Sequence, residues 1–122
     1  MHELSIAMSL VEIASEEAAR LDGARITAVH VKVGALSGVV ADALQFSWDL
    51  ATADTAIAGA RLQIEEVPVT IYCERCAAER TLPSAQRFRC PVCDELALQI
   101  RGGRDLALTA LEVDDEHAGA HR

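Results

Sequence analysis

Apolar residues recur at steps of three and four along residues 3–21: Leu4, Ala7, Met8, Val11, Ala14, Ala18 and Leu21. Ile6, Leu10 and Ile13 widen the stripe, while Glu12, Glu16, Glu17 and Arg20 lie off it. This period predicts a core-facing helix, stopped by Asp22–Gly23. The pattern then changes to strict alternation in ITAVHVKVG, with Val29, Val31 and Val33 on one phase and His30 and Lys32 on the other, as in a half-buried strand. After a Gly-containing connection, Ser37 is the expected N-cap of a second helix over Val39–Ala53, with Val40, Leu44, Trp48 and Ala51 facing inward. LQIEEV (62–67) predicts a second strand and DLALTALEV (105–113) a third. In that third strand the apolar parity switches between Leu108 and Leu111.

The stretch between the second and third strands breaks the pattern. Pro68 opens it, RGGR (101–104) closes it in what reads as a turn, and all four cysteines fall inside. The expectation is an α+β fold: a small three-stranded sheet with two helices on one face, carrying an inserted zinc-ribbon-like module. Residues 1–67 plus 105–113 form the base, 68–104 the module, and 114–122 a disordered tail containing His117 and His121.

Cys73, Cys76, Cys90 and Cys93 stand in the order C-x2-C-x13-C-x2-C. Two residues between cysteines let both thiolates reach one ion from a tight knuckle, and two knuckles make a tetrahedral four-sulfur site, the geometry of structural zinc. Softness and geometry admit iron as well, in a rubredoxin-like site. The module's aromatics, Tyr72 and Phe88, supply little of the apolar shell that a redox iron site wants. Four protein sulfurs leave no open position for water, so such a site holds the module together rather than doing chemistry, and a module this small needs a metal to stand on its own.

Composition narrows the function classes. The formal net charge is −8, against the clustered basic charge that general nucleic-acid binding draws on. No apolar run approaches a membrane span, and Glu3 and Glu12 interrupt the start where a signal peptide would be apolar. A cytoplasmic address follows, where paired cysteines favour metal over disulfides. There is no nucleophile–base constellation and no phosphate-cradling glycine loop, so no enzyme is expected.

The chain begins MHELS. A free Met1 amine, the His2 amide nitrogen once deprotonated and the His2 Nδ1 would close adjacent five- and six-membered chelate rings. Three nitrogens in a plane suit Ni(II) or Cu(II). An exposed first turn with Glu3 favoured by the helix dipole is the simpler reading of the same residues. The combination of MHELS, VKVGALSGV, ALQFSWDLA and CERC…CPVC, in that order over nearly the whole chain, resembles the HypA/HybF family of hydrogenase nickel-incorporation proteins. That resemblance implies a metallochaperone that receives Ni(II) and helps deliver it to the large subunit of [NiFe]-hydrogenase. It implies a HypB-type GTPase as partner and, in some bacteria, the urease maturation proteins. Carried over, His2 is a nickel ligand through ring and backbone, Met1 lends its amine, and Glu3 stands beside them. Asp42, near the start of the second helix, is a further candidate, and the four cysteines hold structural zinc. Some relatives carry a histidine beside the zinc cysteines; residues 68–104 contain none. A monomer or weak homodimer is expected.

The rival reading is an interaction or nucleic-acid-binding zinc ribbon working through Arg75, Arg80, Arg87, Arg89, Arg101 and Arg104, although Glu74, Glu79, Asp94 and Glu95 dilute that cluster. His30 reads as a surface residue on the polar phase of its strand.

Overall fold

The computed structural model describes residues 2–114. Met1 and residues 115–122, with His117 and His121, lie outside the described residues. The chain divides into two compact units. The first takes residues up to Val31, Val40–Ile64 and those from Leu108 onward; the second takes Lys32–Val39 and Glu65–Ala107, more than the expected 68–104.

In the first unit, α1 (Glu3–Arg20) buries Ala7, Leu10, Val11, Ala14 and Ala18. The predicted stripe is wider than the face that gets covered: Leu4, Met8 and Ile13 are exposed. Beyond the C-cap Leu21, Asp22 and Gly23 both take positive φ, and the Gly23 N–H donates back to Ala18 O at 3.0 Å. The second helix, α2 (Ala41–Thr52), packs on α1 and buries Leu44, Trp48 and Thr52. Trp48 is the largest wholly buried side chain, and its indole N–H donates to Ala60 O at 2.8 Å, so the polar end of the ring is satisfied.

Two expectations for α2 fail. Val40, not Ser37, is the N-cap and lies exposed, because the chain turns into the helix three residues later than the hydroxyl suggested. Ser37 Oγ instead accepts the Val39 N–H at 3.2 Å, a local turn that competes with capping.

β1 (Ile26–Gly34), β2 (Arg61–Val67) and β6 (Leu106–Val113) form one sheet in the order β2-β1-β6. The central strand is buried at Val29, Val31 and Val33, as the alternation predicts, and at Ile26 and Ala28 on the opposite phase. Along β6 the half-buried positions shift from Leu106 and Leu108 to Leu111 and Val113, with Thr109 and Ala110 both exposed between them, which is the parity switch read from the sequence. His30 Nε2 meets Glu112 Oε2 at 2.6 Å, so it is a cross-strand partner rather than a free surface ring.

The second unit contains a sheet that the sequence pattern did not predict: β3 (Thr70–Cys73), β4 (Ala78–Thr81) and β5 (Gln99–Gly102), antiparallel in the order β4-β3-β5. Four-residue strands are too short to show a period. Its core is Val69, Ile71, Cys73, Leu82 and Cys90. RGGR is more than a turn. Gly103 is buried at φ +97°, its carbonyl accepts the Leu36 N–H at 2.7 Å, and a side chain at either Gly34 or Gly103 would run into opposing backbone.

Candidate metal centre

Each cysteine pair is shaped by its own backbone. Cys73 ends β3, and its sulfur accepts the Cys76 N–H at 3.4 Å while Ala77 N–H donates to Glu74 O at 3.2 Å. Ala77 then reverses the chain with φ 53° and β4 begins. The second knuckle repeats the design. Cys90 Sγ accepts the Val92 N–H at 3.4 Å, Asp94 N–H donates to Cys90 O at 2.8 Å, and Asp94 takes φ 66°. A bridge between Arg89 and Leu96 closes that loop.

The two knuckles bring the four sulfurs within 4.8 Å of one another, with Cys73 and Cys90 buried and Cys76 and Cys93 half-buried. Cys73 Sγ lies 3.5 Å from Cys93 Sγ, and Cys76 Sγ 3.9 Å from Cys90 Sγ. A tetrahedron with metal–sulfur bonds of about 2.3 Å has edges of about 3.8 Å, so the spacing fits zinc. Backbone N–H groups, that of Cys93 first and then Val92, pull the Cys90 thiol down to about 6. Cys93 accepts an N–H from Glu95, which lowers it, but burial and the three neighbouring sulfurs outweigh this and push it up to about 12. Structural zinc is the metal for this donor set.

The terminal residues belong to the first unit. His2 is exposed and is the N-cap of α1, its carbonyl accepting the Ile6 N–H at 2.9 Å. Glu3 is buried, and its Oε2 accepts the Val40 N–H at 3.1 Å, at the entrance to α2. That hydrogen bond, foremost, holds the Glu3 carboxyl below its ordinary value. Glu3 thereby caps a helix it does not belong to, a role that sequence reasoning missed because capping signals are local in sequence and this one spans 37 residues. An open cleft of about 320 Å3 lies beside it, lined by Leu4, Ala43, Phe46 and Ser47. Asp42 sits exposed in the first turn of α2. Among the described residues the four cysteines alone converge as a metal-binding cluster; His2, Glu3 and Asp42 are not drawn into one.

The arginines of the second unit are mostly engaged. Arg87 pairs with Asp94 at 2.7 Å, Arg75 with Glu95 at 3.7 Å, and Arg89 donates to Asp94 O at 3.1 Å. Arg101 lies over the Tyr72 ring, 4.9 Å from its centroid. No helix among the described residues is long and apolar enough to cross a membrane.

A family model described as "Hydrogenase/urease nickel incorporation, metallochaperone, hypA" matches residues 1–113. A hydrogenase maturation factor HypA from Roseiflexus sp. strain RS-1 is 53% identical over 116 residues, covering 95% of this chain and 94% of the relative. One from Chloroflexus aurantiacus is 56% identical over 113 residues, covering 93% and 99%. The solution structure of the Ni metallochaperone HypA from Helicobacter pylori matches 93% of this chain and 97% of that one, with a TM-score of 0.63 and 23% identity, a likeness of fold. With its family model spanning both units and relatives above half identity, this chain belongs to the HypA family of hydrogenase/urease nickel-incorporation metallochaperones.

Proposed function

We propose that this chain carries Ni(II) at its N-terminus and helps insert it into the large subunit of [NiFe]-hydrogenase in the cytoplasm. The observation that supports this most is that the cysteines converge on one another while His2, a donor of different chemistry, is not part of their cluster. The cysteines close on one another, whereas His2 is exposed at the tip of α1, accessible to a donor and to a recipient. His2 binds nickel through its imidazole and amide nitrogens, and Met1 adds its amine. Glu3, whose Oε2 accepts the Val40 N–H, stands behind the ligating groups or among them; Asp42 is a further acidic candidate. Planar nitrogen donors select Ni(II) over Zn(II), and Cys73, Cys76, Cys90 and Cys93 retain zinc.

The mechanism is ligand exchange. A shallow site at a helix tip offers its metal to an incoming ligand one bond at a time, and no substrate bond is made or broken. A HypB-type GTPase is the partner on the donor side and the hydrogenase large subunit the recipient, with urease maturation proteins as further recipients. The chain acts as a monomer or weak homodimer. No nucleic-acid partner is included in this reading; four of the six arginines that would serve one, Arg75, Arg87, Arg89 and Arg101, engage Glu95, Asp94 and Tyr72.

His2→Ala tests the site. Calorimetry of the untagged, zinc-loaded variant should show nickel binding lost, with zinc content unchanged. Normal nickel affinity in that variant would remove the terminal site from the account.

A further inference from the structure

The strand β2 begins Arg61-Leu62-Gln63-Ile64-Glu65 and stands at one end of the order β2-β1-β6, so one of its backbone edges faces no other strand of that sheet. The Val67 carbonyl accepts the N–H of Ala35, the residue after β1, which fixes that carbonyl on the β1 side. Backbone groups alternate sides along a strand, so those of Leu62 and Ile64 point away from β1. Side chains alternate as well: Arg61, Gln63 and Glu65 are exposed on one face, while Leu62 is buried and Ile64 half-buried on the other. An open cleft of about 340 Å3, lined by Trp48, Asp49, Ala60 and Leu62 among others, leaves the approach to the start of the strand clear. Edge strands are commonly guarded by a proline or an inward-pointing charge; Arg61–Glu65 carries neither.

This stretch is instead complementary to itself read backwards. Two copies set antiparallel about Gln63 place Arg61 opposite Glu65, Leu62 opposite Ile64, and Gln63 opposite Gln63. In that register each Leu62–Ile64 pair exchanges both of its outward backbone hydrogen bonds, opposite charges meet on the solvent face, and the half-buried Ile64 gains an apolar neighbour. Sliding the copies by two residues in either direction loses both charge pairs, and a slip of one residue turns every side chain to the wrong face. Arg61 is available for this: its Nη2 lies 3.7 Å from Glu112 Oε1, a loose pair with both side chains about half exposed. The other edge, β6, offers no such match. It contains no cation, and its one carboxylate, Glu112, meets His30 at 2.6 Å.

We propose that the free edge of β2 is a homodimer seam, along which a second copy of this chain adds its own β2 antiparallel and centred on Gln63. The contact is isologous, so it closes at two copies. Its pairs are few, which makes the dimer weak and concentration-dependent. The seam decides for the weak homodimer over the monomer, and nickel does not enter into it.

Sedimentation of the full chain over a concentration series tests it, with Glu65→Arg, Arg61→Glu and an equal mixture of the two variants beside the parent. The parent should dimerise reversibly. Each variant alone sets like charges opposite one another on both sides of the seam and should dimerise about tenfold more weakly or worse. Mixed, the two variants should recover the parent strength, because every arginine then meets a glutamate across the seam. A parent that stays monomeric at all concentrations overturns the proposal and leaves the edge to a strand from another protein. A dimer that both variants keep at parent strength overturns it too, by placing the seam elsewhere. So do variants that weaken the dimer singly and fail to recover on mixing, since charge opposition would then not be the cause.

Discussion

Glu3 joins the two helices of the first unit. Its carboxylate accepts the N–H of Val40, where α2 has no capping side chain of its own. Because this carboxyl is held below its ordinary value of 4.5, its contribution to stability is complete above that value and disappears as pH falls through the lowered one. Glu3→Gln should therefore lower the denaturant midpoint at neutral pH and leave it nearly unchanged at pH values below the titration. Equal losses at both would show that the charge does not matter. If nickel binds at the proposed terminal site, its affinity should fall on acidification for a separate reason: protons compete with the metal for nitrogen donors. A calorimetric titration at two pH values checks this, with zinc content as the control. The sequence made the apolar partners of α1 legible, since Ala7, Val11, Ala14 and Ala18 follow one period. The hydrogen bond from Val40 to Glu3 was not legible, because no local pattern links residues 37 positions apart.

Each cysteine knuckle turns on a residue other than glycine in the left-handed region, Ala77 in the first and Asp94 in the second. Ala77 holds φ 53° directly after the first cysteine pair, a conformation that costs an ordinary residue about 1–2 kcal/mol. Ala77→Gly should stabilise the metal-loaded chain by about 0.5–1 kcal/mol, after the greater freedom of glycine in the unfolded chain is subtracted. Thermal unfolding measures it; a destabilised variant would show that the left-handed turn is not strained. Gly34 is the opposite case, since a Cβ there meets the Gly103 and Asp105 carbonyls. Gly34→Ala should cost about 1–3 kcal/mol, as overpacking does. Long elements announced themselves: α1, β1 and β6 each run far enough to show a period or its interruption. The β4-β3-β5 sheet is built from four-residue strands and was hidden, although the cysteine spacing around it was not. Ser37 misled because a hydroxyl before an apolar run signals either a cap or a turn, and here Val39 takes it.

At the scale of the molecule, two units of different character share one chain. The first is held by aliphatic packing around Trp48, Leu44 and Val29, the second by a small core whose buried members include two cysteines. Zinc removal should therefore act unequally. Hydrogen exchange after chelation should show protection lost in β3, β4 and β5 and kept along α1; uniform loss would mean that the two units fold as one. The central claim is that nickel and zinc occupy chemically distinct sites, nitrogen at the terminus and sulfur in the insert. X-ray absorption at the nickel edge of untagged chain, loaded with one zinc and then one nickel, addresses it most directly. Nickel should be surrounded by nitrogen and oxygen alone while zinc keeps four sulfurs. Sulfur in the nickel shell would contradict it.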